Sequence, residues 1–287
     1  MASATFGNRA GDGRAPPDRH VAARAGPGPS RASAPVGDLR SSVGMSERTD
    51  LVSPPSDVTV VEGTKRGDAT AKIPTRVQTA IARRMAEVRA TVPTWTASVD
   101  ADVDDLLDAL PDGTLLVDAV TRAIGLALPR HERVNGAWRD GKLETWTQVN
   151  VALAVDLEGE SIVLPTVVDA AGQSLAGIAV RRAELHEKAH AGTLRAPDSA
   201  GPTFALIDGG TDGADRFDAI MPPGVGACLA LGAPRPRPWV VGDAVVPRRV
   251  VTLTLTADHR AIYPSHGGAF LRAVADLLQD PAQVLDA

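Results

Sequence analysis

From Ile73 onward the sequence predicts one α/β or α+β domain built on a mixed sheet. Three observations predict it. Segments whose apolar residues recur at helical spacing alternate with segments whose apolar residues recur at every second position. The apolar fraction is 44%, enough for a core, yet only 4 Phe, 4 Trp and 1 Tyr occur, so that core is Val, Leu, Ile and Ala. No internal repeat breaks the chain into equivalent units.

The elements follow in order. Val77, Ile81, Met85 and Val88 recur at helical spacing, with Arg83, Arg84, Glu87 and Arg89 between them. Thr94 to Val103 alternates and reads as a strand. Asp118 to Leu128 reads as a second helix with Val117, Val120, Ile124 and Leu128 on one face, stopped by Pro129. Val149, Val151, Leu153 and Val155 alternate with smaller residues, which predicts a strand with one buried face. Ile162 to Val168 reads as another. Ser174 caps a predicted helix carrying Leu175, Ile178, Leu185 and Ala189, which ends at Gly192. Thr203–Ile207 and Ala227–Leu231 read as short buried strands. Val251, Leu253 and Leu255 alternate with Thr252, Thr254 and Thr256, the cleanest strand pattern in the chain. A last helix carries Phe270, Val274, Leu277 and Leu278 and stops before Pro281.

The chain has 287 residues and a net charge of −5. That balance gives no electrostatic footprint for nucleic acid. Residues 1–44 hold six arginines against three aspartates, so this Pro-, Gly-, Ala- and Ser-rich stretch is +3 and the remainder −8. It buries too little to offset its ordering entropy and is expected to be a disordered tail or an upstream-translated segment, with Met45 a candidate start. Residues 45–72 read as a linker, and residues 73–287 as the domain. The single cysteine, Cys228, excludes an internal disulfide and a cysteine-built zinc site; its apolar neighbours predict a buried thiol. No apolar run of membrane-spanning length and no signal peptide is present, so a cytoplasmic location is expected, with no membrane partner.

The leading chemical feature is Asp258-His259-Arg260, placed where a strand ends. A histidine there can act as a general base near neutral pH, or can merely satisfy a loop. His266, just before Gly267-Gly268, either faces the same pocket or has no role. His186 and His190 have metal-compatible spacing, but no third ligand accompanies them, so no metal is expected. The Asp-rich run from Asp208 to Asp215 lacks the spacing of a calcium loop and the lysine of a phosphate loop, and reads as a turn.

Taken together the motifs resemble a known family. Asp-His-Arg after a Thr/Leu strand, then Gly267-Gly268-Ala269-Phe270-Leu271 and a closing Leu277-Leu278-Gln279-Asp280-Pro281, is similar to the end of the catalytic domain of dihydrolipoamide acyltransferases. These are core subunits of 2-oxo acid dehydrogenase complexes. Ala80-Ile81-Ala82-Arg83-Arg84-Met85, Val92-Pro93-Thr94-Trp95-Thr96, Val134-Asn135-Gly136-Ala137-Trp138, Val149–Val155 and Leu164-Pro165-Thr166-Val167 resemble further family segments. The resemblance covers about residues 72–287. It implies a chloramphenicol acetyltransferase-like mixed-sheet sandwich with flanking helices, forming a homotrimer or larger homo-oligomer. It implies acyl transfer from coenzyme A, with acetyl-CoA the expected donor and His259 the general base at a subunit interface.

Three departures qualify that reading. The family's His-x-x-x-Asp-Gly ends here in Tyr263-Pro264. Gln78 stands where the family has the arginine that pairs with that aspartate, leaving Arg76 and Arg260 as nearby cations. Losing both partners of a buried pair can be nearly neutral, whereas losing one costs about 3–5 kcal/mol. The family's oxyanion serine becomes Ile207, so a donor would come from Thr96, Ser98, Thr203 or a backbone amide, with Asp208 and Tyr263 as site support. No lipoyl-bearing lysine motif or subunit-binding motif is visible in the first 72 residues, so no lipoyl group is expected on this chain. The expected function is therefore a stand-alone O-acetyltransferase, of the kind that acts on tetronate-type natural-product intermediates, with a small-molecule hydroxyl as acceptor. The alternative is a non-catalytic or lipoyl-dependent core subunit of a 2-oxo acid dehydrogenase complex, served by a carrier or lipoyl protein.

Overall fold

The computed structural model describes residues 58–64, 67–159 and 161–285. The expected tail, residues 1–44, and Met45 lie outside the described residues. Within the stretch read as linker, β1 (Val58–Thr64) and β2 (Gly67–Lys72) pair as an antiparallel hairpin. Next comes α1 (Arg76–Thr91), opened by a capping box in which Thr75 and Gln78 satisfy each other's backbone N–H. So the residue at 78 serves a helix end. β3 (Thr94–Asp102) and the short α2 (Asp104–Ala109) lead to α3 (Leu116–Ala127). β4 (Gly136–Arg139) and β5 (Lys142–Thr145) form a second hairpin. Then follow β6 (Val151–Leu153), β7 (Val155–Leu157), β8 (Ser161–Val163), β9 (Thr166–Val167) and α4 (Leu175–His190). β10 (Phe204–Asp208), β11 (Ala227–Leu231), β12 (Arg235–Val241), β13 (Ala244–Asp258), α5 (Pro264–Gln279) and α6 (Pro281–Leu285) complete the order.

The main sheet has seven strands and is mixed. β10 lies parallel to both β6 and β11, while β13 is antiparallel to β11, β12 and β3. Residues 253–257 of β13 pair with β3 and β11 at once, and Val250 pairs with both Asp102 and Arg235. Hence β11 and β12 follow one another along one edge of β13, and β3 takes the other. One face of the sheet supplies Leu206, Leu229, Leu253 and Leu255 to a large core shared with Ile124, Ile178, Phe270 and Val274 of the helices. Ala152, Ala205 and Cys228 belong to a smaller cluster with Met221 and Val225 from the loop before β11. Burial pushes the Cys228 thiol up to about 12, which makes it an inert packing residue.

Four segments differ from their sequence patterns. The strand expected over Val149–Val155 is β6 and β7, and β6 is buried on both faces because Val151 and Leu153 pack into the large core while Ala152 packs into the smaller cluster. The strand expected over Ile162–Val168 is cut at Pro165 into β8 and β9, which join different sheets. β12 hides behind Pro236 and Pro238, residues that a strand tolerates only at a margin; β12 pairs with β13 alone. Helix α1 carries the expected stripe, but of its residues only Val88 is buried, and Val77 stays exposed. Among the described residues no helix is long and apolar enough to cross a membrane.

Candidate active site

The sheet delivers Asp258-His259-Arg260 as a tight corner. Asp258 ends β13 and donates its N–H to the carbonyl of Gly226 at 2.9 Å. Its own carbonyl accepts from Ala261 (3.1 Å) and Ile262 (2.8 Å), turning the chain toward α5. The Asp258 carboxylate is 3% exposed and accepts from Arg260 N (2.9 Å), Nε (3.0 Å) and Nη2 (2.8 Å). That pairing raises the Arg260 guanidinium above its ordinary value. Arg260 is therefore held by its neighbour and is not a stray cation.

His259 sits between these two on an otherwise fixed backbone. Its N–H donates to the carbonyl of Pro93 at 2.9 Å, and its side chain is exposed. The ring faces Tyr263, with centroids 5.7 Å apart. Tyr263 is the N-cap of α5 and stands 5.9 Å from the ring of His266 in the first turn. Arg133, from the turn before β4, lies over the Tyr263 ring at 5.3 Å. Trp95 braces the corner by donating Nε1–H to the Ile262 carbonyl at 2.7 Å. Close approach matters here: a Cβ on Gly226 would sit 2.0 Å from the Gly136 carbonyl oxygen, so only glycine lets β4 pass this corner.

The other residues singled out in the sequence divide into two groups. Thr96 pairs with Thr256 across the β3–β13 ladder, and Ser98 hydrogen-bonds the Thr254 hydroxyl at 2.9 Å. Both lie back along the strand from His259. Thr203 is at the same end of the sheet as His259, but it is buried, and its hydroxyl takes the Asn150 N–H (3.0 Å) and donates to the Asn150 carbonyl (3.3 Å). That hydroxyl is spent on the fold. Ile207 and Asp208 are at the opposite end. They pair with Ala230 and Leu231, which pair in turn with Thr254 and Leu253. From Thr254 to His259 is five residues of extended chain, roughly 17 Å at a strand's rise. Within one chain His259 and position 207 do not meet.

The 207 end has its own character. Ile207 and Asp208 line a cavity of about 520 Å³ with Leu115, Leu153, His186 and Phe217. Burial raises the Asp208 carboxyl above the ordinary aspartate value, and its oxygen accepts from the Gly210 N–H at 2.9 Å. The Asp208–Asp215 run is a turn, tied down by an Arg235–Asp215 ion pair. His186 and His190 stack at 4.2 Å on α4. A second cavity of about 320 Å³ lies against the His259 corner, lined by Val92, Trp138, Arg139, Met221, Asp258 and Arg260. Arg133 carries no sequence signal of its own; it directly precedes the Val134–Trp138 segment.

The mixed sheet thus presents an exposed histidine on a braced strand end. The chain matches the family described as 2-oxoacid dehydrogenases acyltransferase (catalytic domain) over residues 67–285, and it belongs to that family. It is 34% identical over 214 residues to component 5 of the chloroplastic pyruvate dehydrogenase complex acetyltransferase of Arabidopsis thaliana, covering 72% of this chain and 45% of that one. The corresponding component of Zymomonas mobilis is 30% identical over 215 residues, 71% of this chain and 49% of that one. A probable dihydrolipoamide acetyltransferase of Listeria monocytogenes superposes with a TM-score of 0.70 at 26% identity, over 74% of this chain and 95% of that one. The Azotobacter vinelandii dihydrolipoamide acetyltransferase shares the fold, with a TM-score of 0.72 at 24% identity over 78% and 98% of the two chains. The chain spans about half the length of the curated relatives it matches.

Proposed function

We propose that this chain is the catalytic domain of a dihydrolipoyl-type acyltransferase, moving an acetyl group between coenzyme A and a dihydrolipoyl thiol. The single observation that carries the proposal is the exposed His259 on a corner that buried Asp258 holds rigid. In this reading a His259 nitrogen takes the acceptor thiol's proton. The thiolate attacks the thioester carbonyl of acetyl-CoA, a new C–S bond forms, the bond to the CoA sulfur breaks, and the proton passes to the departing thiolate. A base so placed contributes roughly 10²–10⁴-fold. The oxyanion needs a donor that position 207 of the same chain does not reach. Ile207 offers no side-chain donor, so in this reading a second copy of the chain brings other donors to His259, and the protein works as an oligomer, a trimer by its resemblance to the family. The lipoyl group comes from another domain or another protein.

The reading of a hydroxyl acceptor on a natural-product intermediate keeps one observation in its favour, the replaced side chains Ile207 and Tyr263. The matched relatives are dihydrolipoyllysine acetyltransferases, and they favour the thiol. The test offers acetyl-CoA with dihydrolipoamide or with small alcohols to wild type and to His259→Ala. S-acetyldihydrolipoamide formed by the wild type, and lost in the variant, supports the proposal. Equal rates in the two proteins, or transfer to alcohols alone, overturn it. No turnover with either acceptor favours a non-catalytic core subunit.

A further inference from the structure

We propose that Tyr263 and Arg133 are positioning residues for His259, an aromatic and cationic brace in the place of a carboxylate. The brace is built from two separate segments. Tyr263 is anchored as the N-cap of α5: its carbonyl accepts from His266 (3.0 Å) and Gly267 (3.1 Å), and Pro264 follows at the first helical position. Its ring stands between two imidazoles, that of His259 at 5.7 Å and 51° and that of His266 at 5.9 Å and 39°. Nδ1 of His266 is buried without a hydrogen-bond partner, so no polar contact draws that ring away from the stack through this atom.

Arg133 comes from the turn after α3, and that turn is pinned on both sides. His131 packs edge-on against Phe270 of α5 at 5.8 Å, and the Val134 N–H donates to the His131 carbonyl at 2.8 Å. Asn135 is buried and donates its Nδ2–H bonds to the carbonyls of Trp146 (2.8 Å) and Gln148 (2.9 Å). The guanidinium so placed lies 5.3 Å above the Tyr263 ring and makes no ion pair among the described residues. A cation over the face of a tyrosine is an attraction that fixes the ring plane. The fixed ring then limits the rotation of the exposed imidazole that faces it. Orientation of a reacting group is a large catalytic lever, since about 1 Å of misplacement can cost up to 10²-fold.

The experiment has two arms, and only the kinetic arm rests on the acyl-transfer reading. In the first, Tyr263→Ala lowers kcat about tenfold with KM for acetyl-CoA unchanged, Tyr263→Phe stays within about twofold, and Arg133→Met lowers kcat by a few-fold, with Arg133→Lys restoring most of it. In the second, the His259 ring-proton resonances, assigned by their loss in His259→Ala, are followed by NMR in the full chain. They move in Tyr263→Ala, which removes the neighbouring ring current, and hold in Tyr263→Phe. They also move in Arg133→Met, a change on the turn surface that carries the inference should Tyr263→Ala fail to fold. Ring resonances that stay in place in Arg133→Met and in any folded Tyr263→Ala overturn the inference, as does a kcat loss in either without such movement. A chain that turns over no acceptor overturns the proposed function and leaves the resonance arm to decide the brace.

Discussion

The two ends of the central sheet are built on different principles. At the His259 end the polar groups engage one another closely. Asp258 holds Arg260, the Gly226 and Pro93 carbonyls hold the backbone, and Tyr263, with Arg133 over its ring, faces the imidazole. At the 207 end, a cavity of about 520 Å³ is walled mainly by aliphatic side chains, and the Asp208 carboxylate in its wall is penalised by burial. One end concentrates groups that can move a proton; the other shapes a space. The lesson is that the proposed base and the position expected to stabilise charge need not be fashioned together, because the sheet holds them apart in each chain.

His259→Ala should produce the largest contrast between the ends. It removes the proposed base, and transfer should fall by roughly 10²–10⁴-fold while the melting temperature stays near wild type, because the side chain is exposed. Steady-state rates and a thermal melt on the same preparation check both halves. A melting temperature that drops with the rate would recast His259 as structural. Asp258→Asn attacks the support instead. The carboxylate is almost fully buried and takes three N–H groups from Arg260, so its replacement should cost about 1.5–3 kcal/mol, or roughly 3–12 °C of melting temperature for a domain of this size. An unshifted melt would mean that the corner holds without the pair.

Most of the sheet and helices were legible in the sequence because their burial is regular. Ser174 to Gly192 is a helix with its cap, its stripe and its stop where the residues say, and the Thr/Leu alternation of 250–256 is the inner half of β13. The failures share a cause: the pattern depends on partners the local sequence does not contain. Prolines hide β12, which pairs at the margin alone, and β6 loses its alternation because layers cover both faces. Of the candidate site, the sequence marked His259 and Tyr263, which lie on one short segment. Arg133 is 130 positions away in the chain from Tyr263 and is brought to it by tertiary packing, such as that of His131 on Phe270. Likewise, nothing local in Thr203 reveals that Asn150 occupies its hydroxyl.

Ile207→Ser gives the shaped end a hydroxyl. Ile207 packs against the small cluster around Ala205 and Cys228, so the change should cost about 1–2 kcal/mol in stability. If the 207 end of one copy serves the His259 of another, the new donor should raise kcat by up to about tenfold, less than the roughly 10²–10³-fold of a fully preorganised oxyanion hydrogen bond. A kcat that only falls would locate charge stabilisation elsewhere, and not at the Gly209 and Gly210 N–H groups, which already donate to the Leu231 carbonyl and the Asp208 carboxylate.

Asp208→Asn should have the smallest effect, and its sign is informative. Burial disfavours the Asp208 carboxylate, so its folded pKa lies above the unfolded one. The folded chain then holds the proton more tightly, and stability falls as pH rises from the unfolded to the folded value, remaining reduced above it. Asparagine keeps an oxygen for the Gly210 N–H and carries no charge. The variant should therefore match wild type in acid, where both states of wild type are protonated, and melt higher by a few degrees at most at neutral pH. A variant that melts lower at neutral pH would mean that the Asp208 charge is stabilised by a group at this end of the sheet, and that the cavity is less apolar in its effect than its walls indicate.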